Sequence, residues 1–136
     1  MPKTEELIIQ MEDQPGTLGT VCQAMAEGGV TIVAFEAFPL EGRSVIRAVV
    51  DDPAAAKMAL DAHRIYCTQA EVVLAEFPRP HDELGNAACR LGEAGINIDY
   101  AYSGTHPRTK APLIVFGVAD AGRAAKILDQ MAAEAA

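Results

Sequence analysis

The second half of this chain repeats the first, and that constrains the fold more than any other feature. An offset of 66 positions lays Asp13-Gln14-Pro15-Gly16-Thr17-Leu18-Gly19 over Arg79-Pro80-His81-Asp82-Glu83-Leu84-Gly85 without a gap, carrying Leu18-Gly19 onto Leu84-Gly85. The same offset carries Glu27-Gly28-Gly29-Val30-Thr31-Ile32 onto Glu93-Ala94-Gly95-Ile96-Asn97-Ile98, and a slightly larger one brings Ala55-Ala56-Lys57 onto Ala124-Ala125-Lys126. A chain of 136 residues is thus expected to hold two copies of one supersecondary unit, residues 1–69 and 70–136. Units of about 65 to 70 residues bury little surface alone and usually need to pack on each other.

Each half reads as βαββα. In the first, Leu7-Ile8-Ile9-Gln10-Met11 is rich in branched apolar residues and suits a strand over about 5–12. Leu18, Val21, Cys22, Met25 and Ala26 form one helical stripe, predicting a helix over about 17–28 that Gly28-Gly29 stops. Val30 to Phe35 follows as a strand, Glu41-Gly42 as a hairpin turn, and Ser44 to Val50 as a third strand with mixed faces. Asp52-Pro53 opens a second helix, with Asp at the N-cap and Pro at the first helical position.

The second half repeats the pattern with strands at about 70–77, 96–103 and 112–119, a helix at about 83–94 and a last helix opened by Asp120. A fourth strand for the first half must come from Ile65-Tyr66-Cys67-Thr68-Gln69, which runs almost unbroken into the next strand, and the second half has no residues left for one. So short a connection holds no independent linker, so the halves are expected to share or exchange strands.

The junction Met11 to Gly19 joins strand to helix through Pro15-Gly16. Pro15 offers no ladder hydrogen bond and Gly16 can take backbone angles closed to other residues, so the chain turns sharply. The first amides of the helix lack internal partners and, with the positive end of the helix dipole, suit a small carboxylate or phosphate. A plain structural turn would use the same residues.

Here the residues meet a known family. A βαββαβ unit with Asp13-Gln14-Pro15-Gly16-Thr17-Leu18 between its first strand and helix, and Gly95-Ile96-Asn97-Ile98 leading into its second strand, resembles the ACT domain. The likeness covers nearly the whole chain. It implies an α+β fold of two ferredoxin-like ACT-type units in tandem, with antiparallel sheets, helices on one face, and a second unit lacking its last strand. It also implies regulatory sensing of an amino acid held between ACT units. The matching site residues are Asp13, Gln14, Pro15, Gly16, Thr17 and Leu18, with Asn97 as a polar contact from the other unit. Asp13 can answer an ammonium and the amides after Gly16 a carboxylate, while Asn97 can donate and accept. Equally, Asp13 can serve only the turn, and Asn97 only the backbone near it. The second loop departs from the pattern: Asp82 stands in the place of Gly16, where its carboxylate would cap the helix and occupy those amides, so no equivalent second site is expected.

Other chemistry is sparse. Cys22, Cys67 and Cys89 stand singly, which indicates neither a disulfide framework nor a zinc knuckle. His81, Asp82 and Glu83 adjoin one another and His106 lies in a polar loop, but neither group has the spacing of a helical zinc site. No GxSxG, P-loop or GxGxxG occurs, so neither catalysis nor a cofactor is expected. The net charge of −8 argues against direct nucleic-acid binding. No apolar run approaches a membrane span of about 20 residues, and Met1 to Glu6 lacks the character of a signal peptide, so a cytoplasmic place is expected. Two function classes compete: an amino-acid sensor, and a ligand-free interaction module that regulates a separate enzyme or transcription factor through its sheet edge. The polar-poor strand Val45 to Val50 and the missing closing strand lead to the expectation of a homodimer or larger homo-oligomer.

Overall fold

Alternation in the first strand decides which side of the chain faces inward. In the computed structural model, which describes residues 3–135, β1 spans Lys3–Glu12, with Leu7 and Ile9 wholly buried on one face. Helix α1 (Thr17–Glu27) ends where Gly29 turns left-handed at φ 73°, and the Val30 amide closes it by donating to the Met25 carbonyl at 3.0 Å. Strands β2 (Ile32–Leu40) and β3 (Arg43–Val50) form a hairpin whose two-residue turn has both Glu41 and Gly42 at positive φ, 52° and 79°. That turn matches the right-handed twist of the strands it joins. Helix α2 (Pro53–Ala62) starts as its sequence dictates: Asp52 caps it by accepting from the Ala55 amide at 3.1 Å, and Pro53 fills a position whose N–H would be orphaned anyway.

Next come β4 (Cys67–Glu76), α3 (Pro80–Glu93), β5 (Tyr100–Thr105), β6 (Pro112–Gly117) and α4 (Ala121–Ala135). Asp120 opens the last helix, accepting from the Arg123 amide at 3.0 Å.

The chain divides into two compact units, residues 5–70 and residues 71–135 together with 3–4. In the first, β3 lies between β1 and β2, antiparallel to both; in the second, β6 lies likewise between β4 and β5. Register follows the hydrophobic pattern: Leu7 faces Ala48 and Ile9 faces Ile46 across β1 and β3, as Val73 faces Phe116 and Ala75 faces Ile114 across β4 and β6. These residues pack against Val21, Met25, Ala56 and Leu60 of α1 and α2 in the first unit, and against Ala87, Leu91, Ala124 and Leu128 of α3 and α4 in the second. Both helices of a unit thus cover one face of its sheet. Each fully buried Leu, Ile or Met contributes about 1.5 to 3 kcal/mol by leaving water. The other sheet face is largely closed to solvent as well, at Val45 and Val49 in β3 and at Val72 and Val115 in β4 and β6.

Several boundaries differ from the sequence reading. The expected fourth strand of the first half and first strand of the second are one strand, β4. Ile65 and Tyr66 stay outside it, because α2 ends with Arg64 left-handed at φ 57° and the Ile65 amide bonded back to the Leu60 carbonyl at 2.9 Å. Helix α3 starts at Pro80, near residue 80 instead of 83. Residues 96–99 form no regular element before β5, although the Asp99 amide already reaches the Gly117 carbonyl at 2.8 Å. The first residues of β1 group with the second unit, where Lys3 Nζ lies 3.7 Å from Glu71 Oε2.

Candidate ligand-binding site

The loop between β1 and α1 is built by Gly16 and Thr17. Gly16 has φ 94° and ψ −7°, a left-handed conformation that L side chains rarely adopt, and it occupies the N-cap position of α1 without any side chain capping the helix. Thr17 points back into the loop and is nearly buried. Its hydroxyl lies 3.0 Å from the Glu12 carbonyl and 2.9 Å from that of Gln14, tying the end of the strand to the turn. The Gly16 carbonyl accepts from the Thr20 amide at 2.9 Å and the Thr20 hydroxyl at 3.1 Å, which fixes the first turn from the other side.

What remains open faces solvent. Asp13, Gln14, Pro15 and Gly16 are exposed, and the first turn of α1 contains no acidic residue to compete for its amides. The amides of Leu18 and Gly19, beyond the reach of an internal carbonyl, carry the positive end of the helix dipole. Asp13 is steadied by Ser44 of β3, whose hydroxyl donates to Asp13 Oδ1 at 3.4 Å, and Leu18 presents an apolar side chain beside the amides, 37% exposed. Anion acceptor, cation acceptor and apolar surface therefore lie on one short loop. Asn97 belongs to the second unit, on the irregular segment before β5, where its Nδ2 donates to Asp99 Oδ1 at 2.9 Å.

The corresponding loop of the second unit is filled. Asp82 was expected to cap α3 at the place of Gly16; instead Arg79 is the N-cap, Pro80 follows it, and the helix gains a turn at this end. Glu83 folds back to accept from the Arg79 amide at 2.7 Å, and Asp82 and Glu83 both lie in the first turn, where their charges already answer the dipole. His81 pairs with Asp82 on the surface, and His106 Nδ1 accepts from the amides of Arg108 and Thr109, which makes it a turn residue. Among the described residues no group of three or more His, Cys, Asp or Glu is placed to hold a metal ion, and no helix is long and apolar enough to cross a membrane.

One ionic cluster escaped the sequence reading. Glu6 of β1 is wholly buried, with Oε1 2.9 Å from Arg47 Nη1 of β3, and Arg47 stands opposite Glu36 of β2. Burial pushes the Glu36 carboxyl above the ordinary range; Arg47 opposes that shift and Glu6 adds to it. The charged interruptions in otherwise apolar strands were the available signal. Which of them would be buried depends on strand pairing that sequence spacing does not give.

No protein-family model matches the chain, and no curated protein sequence does. Solved structures do. Protein BT0572 from Bacteroides thetaiotaomicron superposes with a TM-score of 0.81 at 21% identity, over 95% of this chain and 88% of that one. The ligand-free regulatory subunit of aspartate kinase from Thermus thermophilus gives 0.59 at 21% identity, over 94% and 91% of the two chains. A structure of aspartokinase alpha and beta subunits gives 0.57 at 15% identity, with 96% of each chain covered. At these identities the likeness is one of fold. The chain has the ACT-type α+β fold that the resemblance in its sequence implies.

Proposed function

We propose that this chain is a non-catalytic regulatory protein that binds a small ligand, an amino acid, on the loop Asp13 to Leu18. The observation that carries the reading is the contrast between the two helix starts. The start of α1 is held by hydrogen bonds that use the Thr17 hydroxyl and leave its amides uncapped, whereas that of α3 is occupied by the two acidic residues of its own first turn, Asp82 and Glu83. An α-carboxylate fits the first and is repelled by the second, and Asp13 gives the α-ammonium its counter-charge. The regulatory subunit of aspartate kinase, which shares the fold, supports a regulatory role and a separate catalytic partner. Asn97 lies in the other unit, and Asp99 already accepts one of its two amide N–H groups, so the proposal rests on the loop alone.

A thermal-shift screen of the twenty amino acids tests the reading. A ligand present at about 100 times its Kd should add about 2.7 kcal/mol of stability. If no amino acid raises the melting temperature, the sensor reading is wrong. A second reading, an interaction module without a ligand, is favoured by the exposed Phe35 and Leu40 on β2, 45% and 55% accessible. It predicts an unchanged melting temperature in the screen and a shift on adding the partner protein.

A further inference from the structure

Away from the Asp13 loop, the first unit carries an open cleft of about 360 Å³ between the end of α2 and the start of β4. Lys57, Met58 and Asp61 line it from the helix, and Tyr66, Cys67 and Gln69 from the segment that follows. Its size falls within the range of about 300 to 1,000 Å³ usual for small-ligand sites. Met58 and Tyr66 are 75% and 79% exposed, more than any other large hydrophobic side chain among the described residues. A single exposed apolar residue calls for no explanation, but here two converge on one cleft.

The charges select the occupant. Lys57 Nζ lies 2.6 Å from Glu5 Oε1, so the one cation of the cleft is already answered. Burial pushes the Cys67 thiol up, with Lys57 opposing and Glu5 adding to the shift, so Cys67 forms a neutral, polarisable wall. Asp61, four residues beyond Lys57 on the same helix, is exposed and has no hydrogen-bond or ion-pair partner for its carboxylate among the described residues. What faces a ligand is one unanswered carboxylate, an aromatic ring and a thioether. We propose that this cleft binds a small organic ammonium ion with an apolar body, Asp61 taking the charged nitrogen while Tyr66 and Met58 cover the rest. A cation near the face of Tyr66 gains from the ring quadrupole, and Met58 adapts to the shape of the apolar part. An anion finds no free cation there. This site is independent of the loop at Gly16.

The test uses the full chain with phenethylammonium as probe and phenylacetate as its anionic counterpart, followed by calorimetry. Phenethylammonium is expected to bind, with phenylacetate at least about tenfold weaker. Asp61→Asn should weaken the amine about tenfold and Tyr66→Ala about two- to fivefold, while Asp13→Ala leaves its affinity unchanged. Bound amine should also slow maleimide labelling of Cys67 without changing that of Cys89, an exposed thiol on α3. Equal binding of phenylacetate, full affinity in Asp61→Asn, or no binding at millimolar amine would overturn the proposal. Loss of amine binding in Asp13→Ala would transfer the site to the other loop.

Discussion

Replacing Gly16 by valine separates backbone strain from ligand binding. At φ 94° the residue lies where a side chain is strained whatever the space around it, yet a Cβ built there meets nothing within 4 Å. The expected loss of stability is therefore strain alone, about 1 to 2 kcal/mol, with no clash or cavity to add to it. Asparagine tolerates left-handed angles better than a β-branched residue, so Gly16→Asn should lose clearly less. Urea denaturation followed by circular dichroism reads both, with an unchanged m-value confirming that only stability moved. Calorimetric titration with the amino acid chosen by the thermal screen reads binding, which should fall in the folded valine variant because its methyl groups stand where a carboxylate must approach. A loss above about 4 kcal/mol would show that the space around Gly16 is not open. A folded valine variant that binds like wild type would remove the loop from the site.

The other tests probe charge, packing and assembly. Asp13→Ala should cost ligand affinity about 1.5 to 3 kcal/mol, tenfold to a hundredfold, while His81→Ala leaves it unchanged; the opposite order in calorimetry would show that the second loop binds. Gly117→Ala puts a Cβ against the Tyr100 ring, which lies across from it in β5, and should destabilise by about 1 to 3 kcal/mol in the same denaturation assay. Because the Glu36 carboxyl is raised in the folded state, the folded chain holds that proton more tightly than the unfolded one. Its contribution is full below the ordinary glutamate value of about 4.3 and is lost as pH rises through the folded value, so Glu36→Gln should stabilise at pH 7 and not at pH 4. Sedimentation at several concentrations should reveal a homodimer, and a monomer independent of concentration would refute that expectation.

Element types could be read from periodicity because the apolar stripes are regular: Leu18, Val21 and Met25 on α1, and Leu7 and Ile9 alternating on β1. Caps carried the starts of α2 and α4, since Asp52 and Asp120 each accept from an amide three residues on. The start of α3 is not legible at Asp82, because matching it with Gly16 holds only if both helices begin at the same point. The Arg79 N-cap has no capping side chain of its own, and its amide is satisfied by Glu83 from within the helix, a contact that a motif search at Asp82 does not find. Likewise, Asn97 was placed at a strand start, whereas pairing begins only at Tyr100. In the loop itself, the Pro15-Gly16 turn is legible, but the part played by Thr17, whose hydroxyl is spent on two carbonyls of its own loop, emerges only from the folded turn.

The two helix starts differ through a few residues of one loop. Where the first unit has Gln14-Pro15-Gly16-Thr17, the second has Pro80-His81-Asp82-Glu83. Moving proline one position earlier places it at the first helical residue, where its fixed φ favours helix, and replacing glycine with aspartate removes the residue that allowed the left-handed turn. The helix then extends toward the strand, and Glu83, in the place of Thr17, turns back to satisfy the amide of Arg79. The same exchange that stabilises the helix start fills the seat with negative charge. A reversal that restored Gly at 82 and Thr at 83 would reopen the amides only if proline also returned to 81, because Pro80 alone keeps the earlier start. Binding at the second loop therefore requires the substitutions together, and neither Asp82→Gly nor Glu83→Thr alone should confer it.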